Sequence, residues 1–316
     1  MKEISILSTV GKTNLYRLAV LEKYLGLKAN IYAKVESTNP SGSIKDRVAV
    51  TGLVHAFADM KLTEKGEEVV EATSGNMGIS LAFACGCFNH PCHIFMPKSA
   101  SIERRKIMEA YGAKVELVDG VMADAVKAAE EYCKEHPDAF YFDQFNNPAA
   151  VEAHLKTGDD IIKDLTYEDG EIDFPHYLIA GIGTGATITG VAKRLVEVAK
   201  EKGKDKPIII GVESENSPLL TKGYSGKHKL QGLGPNFVPS ILDLSYIDSV
   251  VDVKDEEAYK WTRFLVKEEN LFLGISSGAV IAALDQIKSR IKKGSNIVLI
   301  FPDSGDRYLS VEGLYE

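Results

Sequence analysis

A chain of 316 residues, 45% hydrophobic and 26% charged, is long enough for two modest domains and has the profile of an ordinary globular protein. Its net charge of −8 argues against nucleic acid or an anionic membrane surface as the main partner. No apolar run reaches the ~20 residues of a membrane span, and Met1-Lys-Glu-Ile-Ser5 has no secretory h-region.

In chain order, Ile31–Glu36 reads as a strand, and Asp46–Met60, with apolar residues at helical spacing, as a helix. Val69–Ala72 reads as a short buried strand and Asn76–Phe88 as a helix. His93–Met96 is a strand, Ser101–Tyr111 a helix with Ser101 as N-cap, Ala113–Val118 a strand and Met122–His136 a helix. After Pro148, Tyr177–Ala180, Ile208–Gly211 and Ile297–Ile300 read as fully buried strands, with helices near Gly185–Ala199, Asp255–Asn270 and Ser277–Lys292. Residues 214–248 are turn-rich and predict a long loop, a kind of segment that often lines sites. Strand–helix alternation predicts mostly parallel sheets with helices on both faces, hence two three-layer α/β lobes. The expected division is a smaller mobile lobe at 45–150, with 1–44 and 151–316 forming the larger one.

The cysteines cluster with histidines in Cys85-Gly-Cys87-Phe-Asn-His90-Pro-Cys92-His93, with Cys133 elsewhere, but the spacing matches no structural zinc pattern. Buried thiols in a reducing compartment, without metal, are the expectation, and with them a cytoplasmic location.

Three segments can carry chemistry. Gly181 to Thr187 forms a glycine-rich turn between a strand and a helix, where backbone N–H groups point at an anion and the glycines permit close approach. Thr184 and Thr187 add hydroxyls. The segment also fits G-x-G-x-x-A, which keeps an NAD-dependent oxidoreductase open as a rival. That fingerprint wants an acidic residue about 20 positions later, whereas Glu213 stands roughly 30 positions on. The second segment, Thr73-Ser74-Gly75-Asn76-Met77-Gly78, is another helix N-terminus, whose N–H and hydroxyl groups suit a carboxylate, although Ser and Asn are also common as plain N-caps. The third is Lys45, behind a Pro/Gly/Ser-rich turn at the mouth of a helix, placed like a nucleophilic amine whose basicity burial would lower. An amine, a carboxylate loop and a phosphate cradle together suit pyridoxal 5'-phosphate.

At these segments the chain resembles the cysteine synthase (O-acetylserine sulfhydrylase) and cystathionine β-synthase family of fold-type II pyridoxal-phosphate enzymes, over nearly its whole length. The resemblance implies a tryptophan synthase β-like fold. It makes Lys45, in Asn39-Pro-Ser-Gly-Ser-Ile-Lys-Asp-Arg47, the lysine that holds the cofactor and later acts as base at Cα. It sets Thr73, Ser74, Gly75 and Met77 on the substrate, Asn76 on the cofactor's 3'-oxygen, and Gln144 on the substrate as well. Gly183, Thr184, Gly185, Ala186 and Thr187 become the phosphate cradle, Gln231 and Gly232 part of the loop near the substrate entrance, and Ser276 the partner of the pyridine nitrogen. Pro302–Tyr308 matches a segment beside that ring. A neutral serine at the ring nitrogen favours β-elimination through an aminoacrylate, followed by addition of a nucleophile.

The implied reaction is synthesis of L-cysteine from O-acetylserine and sulfide. Two positions depart from the family pattern. Ala186 replaces a usual glycine, a mild change. Met77 stands where the sulfhydrylases carry threonine and resembles relatives that consume cysteine and release sulfide, such as cysteine β-lyases and β-cyanoalanine or lanthionine synthases. The resemblance further implies a homodimer and, as a partner, the C-terminal tail of serine acetyltransferase.

Overall fold

Strands and helices alternate through residues 5–316, which the computed structural model describes. They run β1 (Leu15–Arg17), α1 (Ala19–Leu25), β2 (Asn30–Val35), α2 (Lys45–Ala58), β3 (Val69–Ala72), α3 (Asn76–Phe88), β4 (Cys92–Pro97), α4 (Ile102–Ala110), β5 (Lys114–Val118), α5 (Met122–Glu135), β6 (Phe140–Tyr141) and α6 (Ala149–Asp164). The second half continues with β7 (Tyr177–Gly181), α7 (Ala186–Lys202), β8 (Ile208–Ser214), α8 (Leu219–Lys222), β9 (Ser249–Val253), α9 (Asp255–Glu268), α10 (Ile275–Ile287) and β10 (Asn296–Phe301).

Two compact units result, one of the described residues up to Lys12 with Asn39–Ala150, the other of Thr13–Thr38 with Val151–Glu316. The first holds a wholly parallel sheet in the order β5-β4-β3-β6. Every residue of β3 and β4 is buried, as expected of parallel strands covered on both faces. The β3–β6 pairing carries the chain from Phe142, whose N–H donates to Val70 O, directly to Gln144 beside the end of β3.

The second unit holds the sheet β1-β2-β10-β7-β8-β9, parallel except for the short antiparallel edge strand β1. Its core gathers Ile31, Ile179, Ile297 and Leu299 from the strands and Trp261, Val280 and Leu284 from the helices. Helix α10 is apolar around most of its circumference, and so it is buried.

The predicted elements lie within a few residues of those observed. Helix α10 begins at Ile275, two residues before the expected start, which sets Ser276 in its first turn. Of the predicted loop at 214–248, Ser214 ends β8, and the remainder holds only α8 and a 3-10 turn at Leu244–Tyr246. The pattern did not announce β1, α1, β9 or the sixteen-residue α6. In α6 the helix-disfavouring Gly158 breaks the signal, and its role is spatial, since a Cβ there would lie 2.7 Å from Arg194 Cβ of α7.

Candidate active site

In the first unit Lys45 is the first residue of α2, and the turn before it is tied down on both sides. Buried Asp46 accepts from Ser41 N at 2.7 Å and from Ser41 Oγ. Ser41 Oγ lies 3.0 Å from Ser80 Oγ on α3, and Ser43 Oγ accepts from Lys45 N at 3.3 Å. Arg47 donates to Gly11 O at 2.9 Å, while Gly11 N donates to Asn39 Oδ1 at 2.8 Å. The charged neighbours of Lys45 thus anchor the turn that carries it. Part of the residue is accessible, but burial of the amine pushes it down to about 8, with the Glu71 carboxylate pulling the other way. A sizeable fraction is therefore neutral near physiological pH, the form a nucleophile or base requires.

The segment after β3 turns into α3. Thr73 N donates to Phe95 O at 3.0 Å, and Thr73 Oγ1 accepts from Gly75 N at 3.2 Å. Ser74 is exposed, Asn76 opens the helix, and Met77 is 1% exposed. Buried Arg104 of α4 donates to Ser74 O at 3.2 Å and lies so near Gly75 that a Cβ there would be 2.9 Å from its Nη1. Gln144 is buried with its amide nitrogen committed: Nε2 donates to Ala72 O at 3.0 Å and to Glu71 Oε1 at 3.4 Å.

In the second unit β7 ends at Gly181 and α7 starts at Ala186, with Gly185 between them at φ +84°, a conformation that favours glycine. A Cβ on Gly183 would stand 2.6 Å from Gly232 O, and one on Gly185 2.6 Å from Leu242 Cβ. Thr187 Oγ1 lies 3.2 Å from His154 Nε2, whose ring also meets Thr157 Oγ1 at 3.2 Å through Nδ1. Ser276 Oγ donates to Gln231 O at 3.4 Å, and Gln231 Oε1 is buried without a hydrogen-bond partner among the described residues. Gly183, Gln231, Gly232 and Ser276 thus converge in this unit, as Lys45, Thr73–Met77 and Gln144 gather around the end of β3 in the other.

Sequence reasoning missed Glu71, Arg104 and His154. A lone acid inside the buried strand Val69-Val-Glu-Ala72 was a readable signal for Glu71. Glu213, the residue a dinucleotide ribose would need, is spent locally: its carboxylate accepts from Leu220 N, Thr221 N and Thr221 Oγ1. Cys85 and Cys92 are buried thiols, and among the described residues no His/Cys/Asp/Glu group could hold a metal ion. No helix among them is long and apolar enough to cross a membrane.

These residues fit a phosphorylated pyridoxal. A strand–helix turn whose Cα atoms leave no room for side chains presents N–H groups at a seventeen-residue helix N-terminus, the geometry of an anion site. A lysine amine of lowered basicity suits an aldehyde, and the orphaned Gln231 Oε1 awaits a donor.

The chain belongs to the family of pyridoxal-phosphate dependent enzymes, whose sequence profile matches residues 6–303. Within it, the chain is 42% identical over 315 residues to a cysteine synthase of Buchnera aphidicola subsp. Schizaphis graminum, covering 96% of this chain and 93% of the relative. A cysteine synthase (OASS) of Entamoeba histolytica superposes with a TM-score of 0.88 at 35% identity, over 98% of this chain and 90% of that one. A hydrogen sulfide-producing enzyme of Fusobacterium nucleatum superposes with a TM-score of 0.89 at 35% identity, over 97% of this chain and 100% of that one.

Proposed function

We propose that this chain is a cysteine synthase that replaces the β-substituent of O-acetylserine with sulfide to give L-cysteine. The observation that carries the reading is Lys45: a helix-mouth lysine with its neighbours tied to backbone and its amine held near 8 by burial. Pyridoxal phosphate, when bound, supplies an electron sink for negative charge at the substrate's Cα. Lys45 would hold the cofactor through its amine and would serve as general base for the proton at Cα.

Gly183, Thr184, Gly185, Ala186 and Thr187 would hold the phosphate at the N-terminus of α7, and Asn76 would serve the 3'-oxygen. Thr73, Ser74, Gly75 and Met77 position the substrate carboxylate at the start of α3, with Gln144, Gln231 and Gly232 completing the substrate contacts. Ser276 would offer the ring nitrogen a neutral hydroxyl rather than a carboxylate, a setting that would favour loss of a β-substituent.

A second reading has its own support. Buried Met77, where sulfhydrylases carry threonine, and the likeness to a hydrogen sulfide-producing enzyme favour a chain that consumes cysteine and releases sulfide. The NAD-dependent alternative has lost its acidic residue to the turn at Leu220. We further propose a cytoplasmic homodimer able to take the C-terminal tail of serine acetyltransferase, its location in line with the four free cysteines.

Lys45→Ala is the direct test. It should abolish both the visible absorption of the loaded protein and formation of cysteine from O-acetylserine and sulfide; undiminished turnover by this variant refutes the proposal.

A further inference from the structure

Helix α6 carries a buried polar side chain that the reading above leaves unused. His154 is fully buried, yet its ring reaches the glycine-rich turn before α7. Its Nε2 lies 3.2 Å from Thr187 Oγ1, in the first turn of α7, and its Nδ1 lies 3.2 Å from the Oγ1 of Thr157, itself fully buried. Thr187 is half-buried, with part of its surface open. The approach of the two helices is built into their backbones. A Cβ on Gly190 of α7 would stand 2.5 Å from Val151 O and 2.6 Å from His154 Cβ, so α6 lies against α7 here only because Gly190 has no side chain. One turn further along α6, a Cβ on Gly158 would stand 2.7 Å from Arg194 Cβ. Two glycines, one on each helix, thus set the distance that brings the imidazole to Thr187.

Only one neutral arrangement of these hydrogen bonds serves an anion. The Thr187 hydroxyl has a single proton to donate. Phosphate oxygens accept, so that proton must point into the turn, and a lone pair of the hydroxyl then faces His154. Nε2 must therefore carry the imidazole proton, and Nδ1, bare in the neutral ring, must accept from Thr157 Oγ1. The other neutral tautomer reverses the chain: Nε2 would accept the Thr187 proton and turn that donor away from the anion.

We propose that His154 is a positioning residue of the phosphate site: its Nε2–H donates to Thr187 Oγ1 and leaves the Thr187 proton to a phosphate oxygen. Thr157 fixes the tautomer from the far side of the ring. The inference rests on the proposed role of Gly183–Thr187 as the phosphate cradle. A buried imidazole costs stability unless both nitrogens are paired, and here the partners are two hydroxyls, one of them in that cradle.

The experiment uses the full chain freed of cofactor, titrated with pyridoxal 5'-phosphate and separately with pyridoxal, which lacks the phosphate. His154→Asn keeps a polar side chain too short to reach Thr187. Its affinity for pyridoxal phosphate should fall about tenfold, the scale of one hydrogen bond, with affinity for pyridoxal unchanged. His154→Gln, whose amide nitrogen can stand where Nε2 stood, should recover most of the loss. In a Thr187→Ala background His154→Asn should cost nothing further. Equal losses for the two ligands, no loss for either, or the same loss in the Thr187→Ala background overturns the inference.

Should the His154 variants not fold, 15N NMR of the wild-type imidazole carries the test. A protonated Nε2 and a bare Nδ1 are expected in the loaded chain, and a proton on Nδ1 overturns the inference. Thr187→Ala separates this from the underlying reading. If that variant binds pyridoxal phosphate as tightly as the wild type, the proposed cradle itself falls. If it binds more weakly while His154→Asn does not, only the role of His154 falls.

Discussion

Gly183 and Gly232 approach so closely that a Cβ on the first would stand 2.6 Å from the carbonyl oxygen of the second. The contact is to backbone and cannot be relieved by turning a side chain. Gly183→Ala must therefore push apart the β7–α7 turn and the segment that carries Gln231. Overpacking of this kind costs about 1–3 kcal/mol, and retention of pyridoxal phosphate should weaken by roughly tenfold, which corresponds to about 1.4 kcal/mol. A fluorescence titration of cofactor into the stripped variant checks this, and wild-type affinity would remove the turn from the phosphate site.

Ser276 donates a neutral hydroxyl from the first turn of α10. Ser276→Asp introduces a carboxylate that would hold a proton on the ring nitrogen. The loaded variant should show an altered visible spectrum and a kcat for β-replacement lower by about tenfold or more. Ser276→Ala should keep the reaction course with a smaller loss. Wild-type spectrum and kinetics in the Asp variant would contradict the assignment.

The second reading assigns to Met77 the choice between O-acetylserine and cysteine as first substrate. Met77→Thr should raise kcat/KM for O-acetylserine relative to that for cysteine. Because Met77 is 1% exposed, the change buries a hydroxyl and removes packing, at a stability cost of about 1–3 kcal/mol. Paired kinetic runs with the two substrates check it, and an unchanged ratio removes Met77 from the argument.

Glu71 also gives the cofactor-free chain a pH signature. Its carboxyl is raised to about 8 by burial, so the folded chain holds a proton that the unfolded chain releases near the ordinary carboxyl value of about 4.3. The folded state binds more protons between these values, and stability falls as pH rises through that window. The group's contribution is fully present below the lower value and lost by the upper one, and can reach a few kcal/mol at about 1.4 kcal/mol per unit. Urea denaturation at pH 5 and pH 8 should show a larger loss in the wild type than in Glu71→Gln. Equal losses would mean that Glu71 is ionised throughout.

Much of this was legible in the sequence because local chemistry dictated it. Parallel strands buried on both faces read as apolar runs, and the turns at Gly181–Thr187 and Thr73–Gly78 announced themselves by glycine and hydroxyl content. Helix α6 stayed hidden because Gly158 serves a close approach to Arg194, a demand set by a partner distant in sequence. Arg104 was hidden for the same reason. An arginine in Ser101-Ile-Glu-Arg-Arg-Lys106 reads as solvated helix surface, and only the fold brings it to Ser74 O. The bond from Gln144 to Glu71 spans 73 residues and exists because β6 pairs with β3.

The central claim is β-replacement on a cofactor held by Lys45, and the visible absorption spectrum of the purified chain tests it most directly. A band should be present as isolated, change on addition of O-acetylserine, and return on addition of sulfide with stoichiometric L-cysteine. A chain with no visible band after incubation with pyridoxal phosphate, or a band indifferent to O-acetylserine, would contradict the account.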